Sequence, residues 1–129
     1  MTALLDTDVL INFLRGDARA QTWLRAAGPE QFQVPGIAAM ELVIGCRNAD
    51  ELKRLTTFLD KFSLAWPDSS ETARAFQLLL TYRLTTGVGI PDCLIAAMAL
   101  SRQARLYTFN LRHYQQIAGL EARQPYQRG

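Results

Sequence analysis

The chain has 129 residues, 49% of them apolar and 20% charged, and a formal net charge of +2. That is the ordinary balance of one soluble globular domain with room for a core, and the net charge is too small to argue for a polyanionic partner by itself. A single histidine, His113, and two cysteines, Cys46 and Cys93, exclude a metal site of Cys/His type.

Both cysteines lie inside apolar helical patterns and read as reduced core residues. No apolar run approaches the ~20 residues needed to span a bilayer. The opening "MTALLD" has no basic region ahead of an apolar one, so it is not read as a signal peptide, and a cytosolic protein is expected. The charge is unevenly spread. Residues 1–65 hold seven Lys/Arg against eight Asp/Glu, and residues 66–129 hold seven Arg against four Asp/Glu. Every base in the second part is arginine, whose planar fork suits phosphate.

In chain order, the pattern predicts a short buried strand over 3–6 and a helix over 8–15 that stops near Gly16. A second helix, 18–27, ends at Gly28-Pro29. A strand over 32–34 precedes Pro35, and helices follow over 37–47 and 49–62. A strand over 64–66 precedes Pro67. A long helix covers 69–86, capped by Asp68 or Ser69, and Gly87-Val-Gly-Ile is a loop. A helix over 91–103 carries Pro in its first turn. A strand over 106–109, a short helix over 112–117 and a strand over 120–123 complete the chain. There is no repeat, low-complexity tract or interdomain linker, so residues 1–129 read as one α/β domain. Short strands separated by helices predict a mostly parallel sheet covered on both faces. Sites in such sheets lie outside the carboxyl ends of the strands, where strand order reverses.

Three acids are hard to explain as surface. Asp6 follows Leu4-Leu5 at the carboxyl end of the first strand, next to that crevice. Asp8, immediately before Val9-Leu10-Ile11, is the better placed helix cap, which leaves Asp6 without a structural task. Glu41 lies on a helix between Ile37 and Ile44 and shares their face, with no Lys or Arg one turn away. A lone carboxylate there costs several kcal/mol of desolvation unless something positive meets it, either a salt bridge from elsewhere or a metal ion. Asp92 follows a glycine-rich approach in "GVGIPDCLIAAMAL"; alone it would be a first-turn acid favoured by the helix dipole. Three carboxylates without a histidine cluster read as an all-oxygen site for a hard divalent cation, Mg²⁺ or Mn²⁺, and point to phosphate chemistry.

With these segments in view, the chain resembles a PIN-domain ribonuclease, in particular the VapC-type toxins of bacterial toxin–antitoxin pairs. The resemblance rests on "LLDTDVLI", "AAMELVIGCR" (38–47), "IPDCLIAAMAL" (90–100) and "YTFNLRHYQQIAGLEARQP" (107–125), in the family's order over nearly the whole chain. It implies a three-layer α/β/α sandwich around a central, mostly parallel five-stranded sheet. It also implies that Asp6, Glu41 and Asp92 form the metal-binding cluster of an Mg²⁺- or Mn²⁺-dependent endoribonuclease. The family's frequent fourth acid falls here at Asn110, which offers a carbonyl oxygen but no charge. Thr108 is a hydrogen-bonding helper nearby, and His113, where the family often has a histidine, is expected to be structural. An RNA substrate, a cognate antitoxin and a homodimer follow from the same resemblance. Amphipathic helices within 8–62 offer apolar surface to a partner. Arg83, Arg102 and Arg112 are candidate contacts to the RNA backbone.

Two other readings compete. "DTDVL" also resembles the D-x-D opening of haloacid dehalogenase-type phosphatases, which need a later lysine and a later acidic pair. The lysines here, Lys53 and Lys61, precede the last strands, and no such pair occurs after residue 68. A receiver-type module fails on the same missing lysine. A PIN-like fold that binds RNA or a partner without cutting has Asn110 as its support.

Overall fold

The computed structural model describes residues 2–128. Five short strands, β1 (Ala3–Leu5), β2 (Phe32–Pro35), β3 (Ser63–Ala65), β4 (Arg105–Tyr107) and β5 (Ala122–Arg123), form one sheet in the order β3-β2-β1-β4-β5. All four pairings are parallel. The expected "mostly parallel" sheet is therefore wholly parallel. Ala3, Leu4 and Leu5 are all buried although successive strand residues point to opposite faces, so helices cover both sides of the sheet at its centre.

The helices are α1 (Thr7–Leu14), α2 (Ala18–Ala27), α3 (Gly36–Ile44), α4 (Ala49–Leu59), α5 (Ser69–Thr86), α6 (Ile90–Arg102) and α7 (Leu111–Tyr114), with a 3₁₀ turn at Pro29–Gln31. Local chemistry sets most boundaries. Asp68 rather than Ser69 caps α5, in a capping box with Glu71. Gly87, at φ 78°, ends α5 in the left-handed conformation that glycine adopts without strain. Gly36 opens α3 because a Cβ there would run into the Trp66 ring.

The main core joins β1, β2 and β4 to α1, α3 and α6 through residues such as Leu4, Leu5, Leu10, Val34, Ile95 and Leu106. A smaller cluster of Ala75, Val88, Cys93 and Ala97 seals α5 against α6. Cys46 and Cys93 are both free thiols. Among the described residues no helix is long and apolar enough to cross a membrane.

Strand order reverses between β1 and β4, the neighbours at the middle of the sheet. The chain leaves β1 at Asp6 and β4 at Thr108, so these two residues stand side by side at the mouth of the crevice. β4 stops at Tyr107, two residues earlier than predicted: the Thr108 amide still donates to the Arg123 carbonyl at 2.9 Å, but the Phe109 amide turns to Asp8 instead of extending the ladder.

Candidate active site

Asp6 is built into the end of β1. Its backbone N–H donates to the Tyr107 carbonyl at 3.0 Å, fixing the residue against β4. Its carboxylate caps α1, with Oδ1 accepting the Thr7 amide at 2.8 Å. This corrects the expected division of labour. Asp6 is the cap, and Asp8 sits in the first turn of the helix with a different task. Asp8 Oδ2 accepts the Phe109 amide at 3.1 Å and so ties α1 to the end of β4. Asp8 Oδ1 is buried with no hydrogen-bond partner among the described residues.

The acids form a row linked through Thr7, Thr108 and Tyr114. Thr7 links Glu41 to Asp6: its hydroxyl donates to Glu41 Oε1 at 2.8 Å while its amide holds Asp6. Thr108 Oγ1 donates to Asp6 Oδ2 at 2.8 Å and lies 3.5 Å from Asp8 Oδ2. Tyr114 is fully buried, and its hydroxyl lies 3.1 Å from both Asp6 Oδ2 and Asp92 Oδ1. One hydroxyl hydrogen can serve only one carboxylate at a time, so Tyr114 alternates between them or shares. Asp92 Oδ2 accepts the Gly89 amide at 2.9 Å at the start of α6, and its other oxygen faces Asp6 through Tyr114.

His113 and Asn110 extend the row. His113 Nδ1 lies 3.1 Å from Asp92 Oδ2 and 2.9 Å from Asn110 Nδ2. With its hydrogen on Nδ1 the ring donates to Asp92, and the Asn110 amide turns its oxygen toward it. With Nδ1 bare the ring accepts from Asn110, and Asp92 loses that donor. The Asn110 amide N–H donates to Thr108 Oγ1 at 3.0 Å, orienting the hydroxyl toward Asp6.

The electrostatics are unfavourable without a cation. Asp6 is only 7% exposed. Burial, then the charges of Asp8 and Asp92, push its carboxyl up to about 7 against the hydroxyl and amide donors that oppose the shift. Burial raises Asp8 as well. Burial and the two carboxylates beside it hold the Tyr114 phenol far above its usual value, so it stays a donor. The donor set is all oxygen, it is short of positive charge, and one buried Asp8 oxygen lacks a partner. This is the chemistry a hard divalent ion satisfies. Among the described residues no three acidic, imidazole or thiol side chains close on one point as a ready-made cage. Magnesium needs no such cage, since it commonly keeps several waters and takes one or two carboxylates.

The four expected site residues are thus placed in one linked row, with Glu41 at one end and Asn110 at the other. The argument from burial fails for Glu41. The buried stripe of α3 is Gly36, Ala38, Ala39 and Leu42, so Glu41 lies at the rim, half-exposed, and Ile44 is 85% exposed. Of the arginines expected near RNA, Arg83 and Arg102 prove to be fold residues. Arg83 donates to the carbonyls of Gly87 and Val88 at the end of α5. Arg102 pairs with Glu71 at 2.9 Å. Sequence reasoning missed Tyr114 and the role of Thr7. Tyr114 lies four residues after Asn110, one helical turn on, and that spacing is the signal that could have found it.

The PIN domain family profile matches residues 3–120. The chain belongs to the PIN domain family, which sets aside the phosphatase and receiver readings. It is similar to Ribonuclease VapC10 of Mycobacterium tuberculosis, 34% identical over 115 residues, covering 86% of this chain and 84% of that protein. It is also similar to a toxin–antitoxin complex from Klebsiella pneumoniae, with TM-score 0.79 and 27% identity over 98% of this chain and 100% of that one. The DNA-bound VapBC of Salmonella typhimurium shares the fold, with TM-score 0.85 and 22% identity over 98% of this chain and 100% of that one.

Proposed function

We propose that the protein is a divalent-metal-dependent endoribonuclease that hydrolyses RNA phosphodiester bonds, and that it is the toxin of a toxin–antitoxin pair. The observation that carries the reading is the hydrogen-bonded row Glu41–Thr7–Asp6–Tyr114–Asp92 at the switch point of the sheet. Relatives named as VapC ribonucleases support the activity, and the Klebsiella toxin–antitoxin complex supports an antitoxin partner.

Asp6 and Asp92 would hold the cation, with Glu41 completing the cluster. When bound, Mg²⁺ or Mn²⁺ supplies Lewis acidity and neutralises charge on the phosphodiester. Thr108 and Tyr114 fix the rotamers of the two carboxylates by donating to their inner oxygens. Asn110 holds Thr108 in turn, and His113 positions Asp92. Arg112, exposed on the short helix that carries His113 and Tyr114, is placed to meet the RNA backbone.

The antitoxin would occupy the groove lined by Ile11, Leu14, Leu42 and Leu55, which opens at Glu41 and carries Arg15, Arg47 and Arg54 at its edges. A homodimer would use the exposed apolar stripe of α5, where Phe76, Leu80 and Leu84 recur every fourth residue. The two free thiols and the RNA substrate suit the cytoplasm.

The test is cleavage of a total RNA pool by the purified chain with Mg²⁺ or Mn²⁺ and with chelator, beside an identically purified Asp6→Asn/Asp92→Asn double variant. Discrete metal-dependent products that the variant does not make are expected. Products of equal yield from the variant would overturn the assignment.

A further inference from the structure

Most arginines of the second half of the chain are committed to the fold. Arg83 closes α5, Arg102 pairs with Glu71, and Arg105 and Arg123 both reach Glu121 at 3.0 Å. Arg74, Arg112 and Arg128 make no hydrogen bond or ion pair to another of the described residues. Of these three, Arg128 has its place fixed by the residues before it.

The guanidinium of Arg128 lies 4.3 Å from the centroid of the Phe109 ring. Phe109 is the residue whose amide holds Asp8, so this stack stands at the edge of the acid row. The tail that carries Arg128 is anchored residue by residue. The Tyr126 hydroxyl accepts from Asn12 Nδ2 at 3.1 Å, and Asn12 is one turn along α1 from Asp8. The Tyr126 ring packs 5.2 Å from Phe109 and 6.1 Å from Trp23. The Gln127 carbonyl accepts from Arg19 Nη1 at 2.8 Å. Arg128 is close enough to Asp8 for its charge to favour the ionised carboxylate.

A guanidinium laid on a ring keeps its N–H edge open, and that edge matches two oxygens of a phosphate. The acid row needs such help, because Asp6, Asp8 and Asp92 together repel a polyanion. We propose that Arg128, delivered by the C-terminal tail and held on Phe109, is a phosphate-binding position for the RNA strand beside the acid row. The tail is then part of the substrate site. This rests on the ribonuclease reading and adds to it a residue that grips the strand away from the reacting bond. The competing role for Arg128 is neutralisation of Asp8 alone.

The experiment uses the full chain and a labelled single-stranded RNA spanning a site that the wild type cuts, with steady-state cleavage in Mg²⁺. Binding is measured over a series of salt concentrations in an Asp6→Asn background that does not cut. Arg128→Ala is expected to weaken binding about tenfold, to lower the slope of log affinity against log salt by about one, and to raise KM with kcat nearly unchanged. Arg128→Lys should recover part of the affinity, and Asp8→Asn added to Arg128→Ala should recover none. Unchanged affinity and slope in Arg128→Ala would overturn the proposal, whether or not its melting temperature falls. Recovery of affinity by Asp8→Asn would overturn it too, in favour of neutralisation. A wild type that cuts no RNA overturns the ribonuclease reading and this proposal with it, whereas a wild type that cuts beside an unimpaired Arg128→Ala overturns this proposal alone.

Discussion

Glu71 and Asp6 are both buried carboxylates, 2% and 7% exposed, and the fold surrounds them in opposite ways. Glu71 meets a charge. The Arg102 fork donates to both of its oxygens, at 2.9 and 3.0 Å, and the Asp68 amide adds a third donor. Arg102 is steadied in turn by the Trp66 carbonyl at 2.7 Å. The guanidinium holds the Glu71 carboxyl below its usual value. Asp6 meets three neutral donors, from Thr7, Thr108 and Tyr114, and two more carboxylates. Its hydrogen bonds are complete while its charge is unanswered. A group buried for the sake of packing is paired as Glu71 is, since an unpaired buried charge costs several kcal/mol. Asp6 retains that cost, and a cation is what would remove it.

The largest expected difference between the two acids is in activity. Asp6→Asn should lower metal-dependent RNA cleavage by ~10³-fold or more, a loss of the size seen when a preorganised charge-stabilising group is removed. Glu71→Gln should leave cleavage per folded molecule unchanged. Cleavage rates normalised to folded protein decide this, and equal losses in the two variants would erase the distinction.

Stability should respond in the reverse order. Glu71→Gln leaves Arg102 without its partner and should destabilise the fold by about 2–4 kcal/mol. Asp6→Asn keeps a good helix cap and removes a repelling charge, so without metal its unfolding midpoint in urea should match or exceed that of the wild type. A clear fall in that midpoint would show Asp6 to be structural after all.

The two acids also carry opposite pH slopes. The Asp6 carboxyl titrates near 7 in the folded chain and near its ordinary 3.8 when unfolded. The stability its protonated form contributes is full below about pH 4 and is lost as pH rises through about 7. Burial raises Asp8 in the same direction. Glu71 is lowered, so its contribution is present above its ordinary value of 4.5 and is lost as pH falls through the lowered one. In chelator, stability should therefore decline between about pH 4 and 7 in the wild type, and Asp6→Asn should flatten that decline. Urea titrations across the range would show it, and a parallel decline in the variant would refute the assignment to Asp6.

Tyr114→Phe is the gentlest probe. It removes the one hydroxyl shared by Asp6 and Asp92 while keeping the buried ring. A loss of ~10-fold in cleavage or in Mn²⁺ affinity is expected, the lower range for a group that orients ligands. No change in either would show that the two carboxylates are placed without it.

Most of the architecture was legible because its signals are local. Pro35, Pro67 and the Gly28-Pro29 and Gly87 stops mark element ends within a few residues, and the strand–helix alternation gave the parallel sheet. Asp6 and Asp92 stand out in the sequence by position, one after a buried strand and one opening an apolar helix, and the fold brings them to one hydroxyl. The misreadings needed distances that local pattern does not carry. In sequence Asp8 is the better placed cap of α1, yet Asp6 takes that position. What separates them is the Phe109 amide, 101 positions from Asp8, which claims Asp8. Arg102 looked available for RNA because its partner, Glu71, lies 31 positions earlier. Tyr114 reaches across 108 positions to Asp6 and 22 to Asp92. Ile37 and Ile44 flank Glu41 and suggest a buried face, but the side of α3 that packs inward is set by Ala38, Ala39 and Leu42.

The central claim is that the carboxylates at the ends of β1 and α6 are short of a cation. It is tested most directly by thermal unfolding of the wild type and of Asp6→Asn/Asp92→Asn, above pH 7, with increasing Mn²⁺. Binding confined to the folded state raises the midpoint by mass action. The wild type should gain about 5 °C or more near saturation, and the double variant should gain almost nothing. Equal shifts in the two proteins, or none in the wild type, would contradict it.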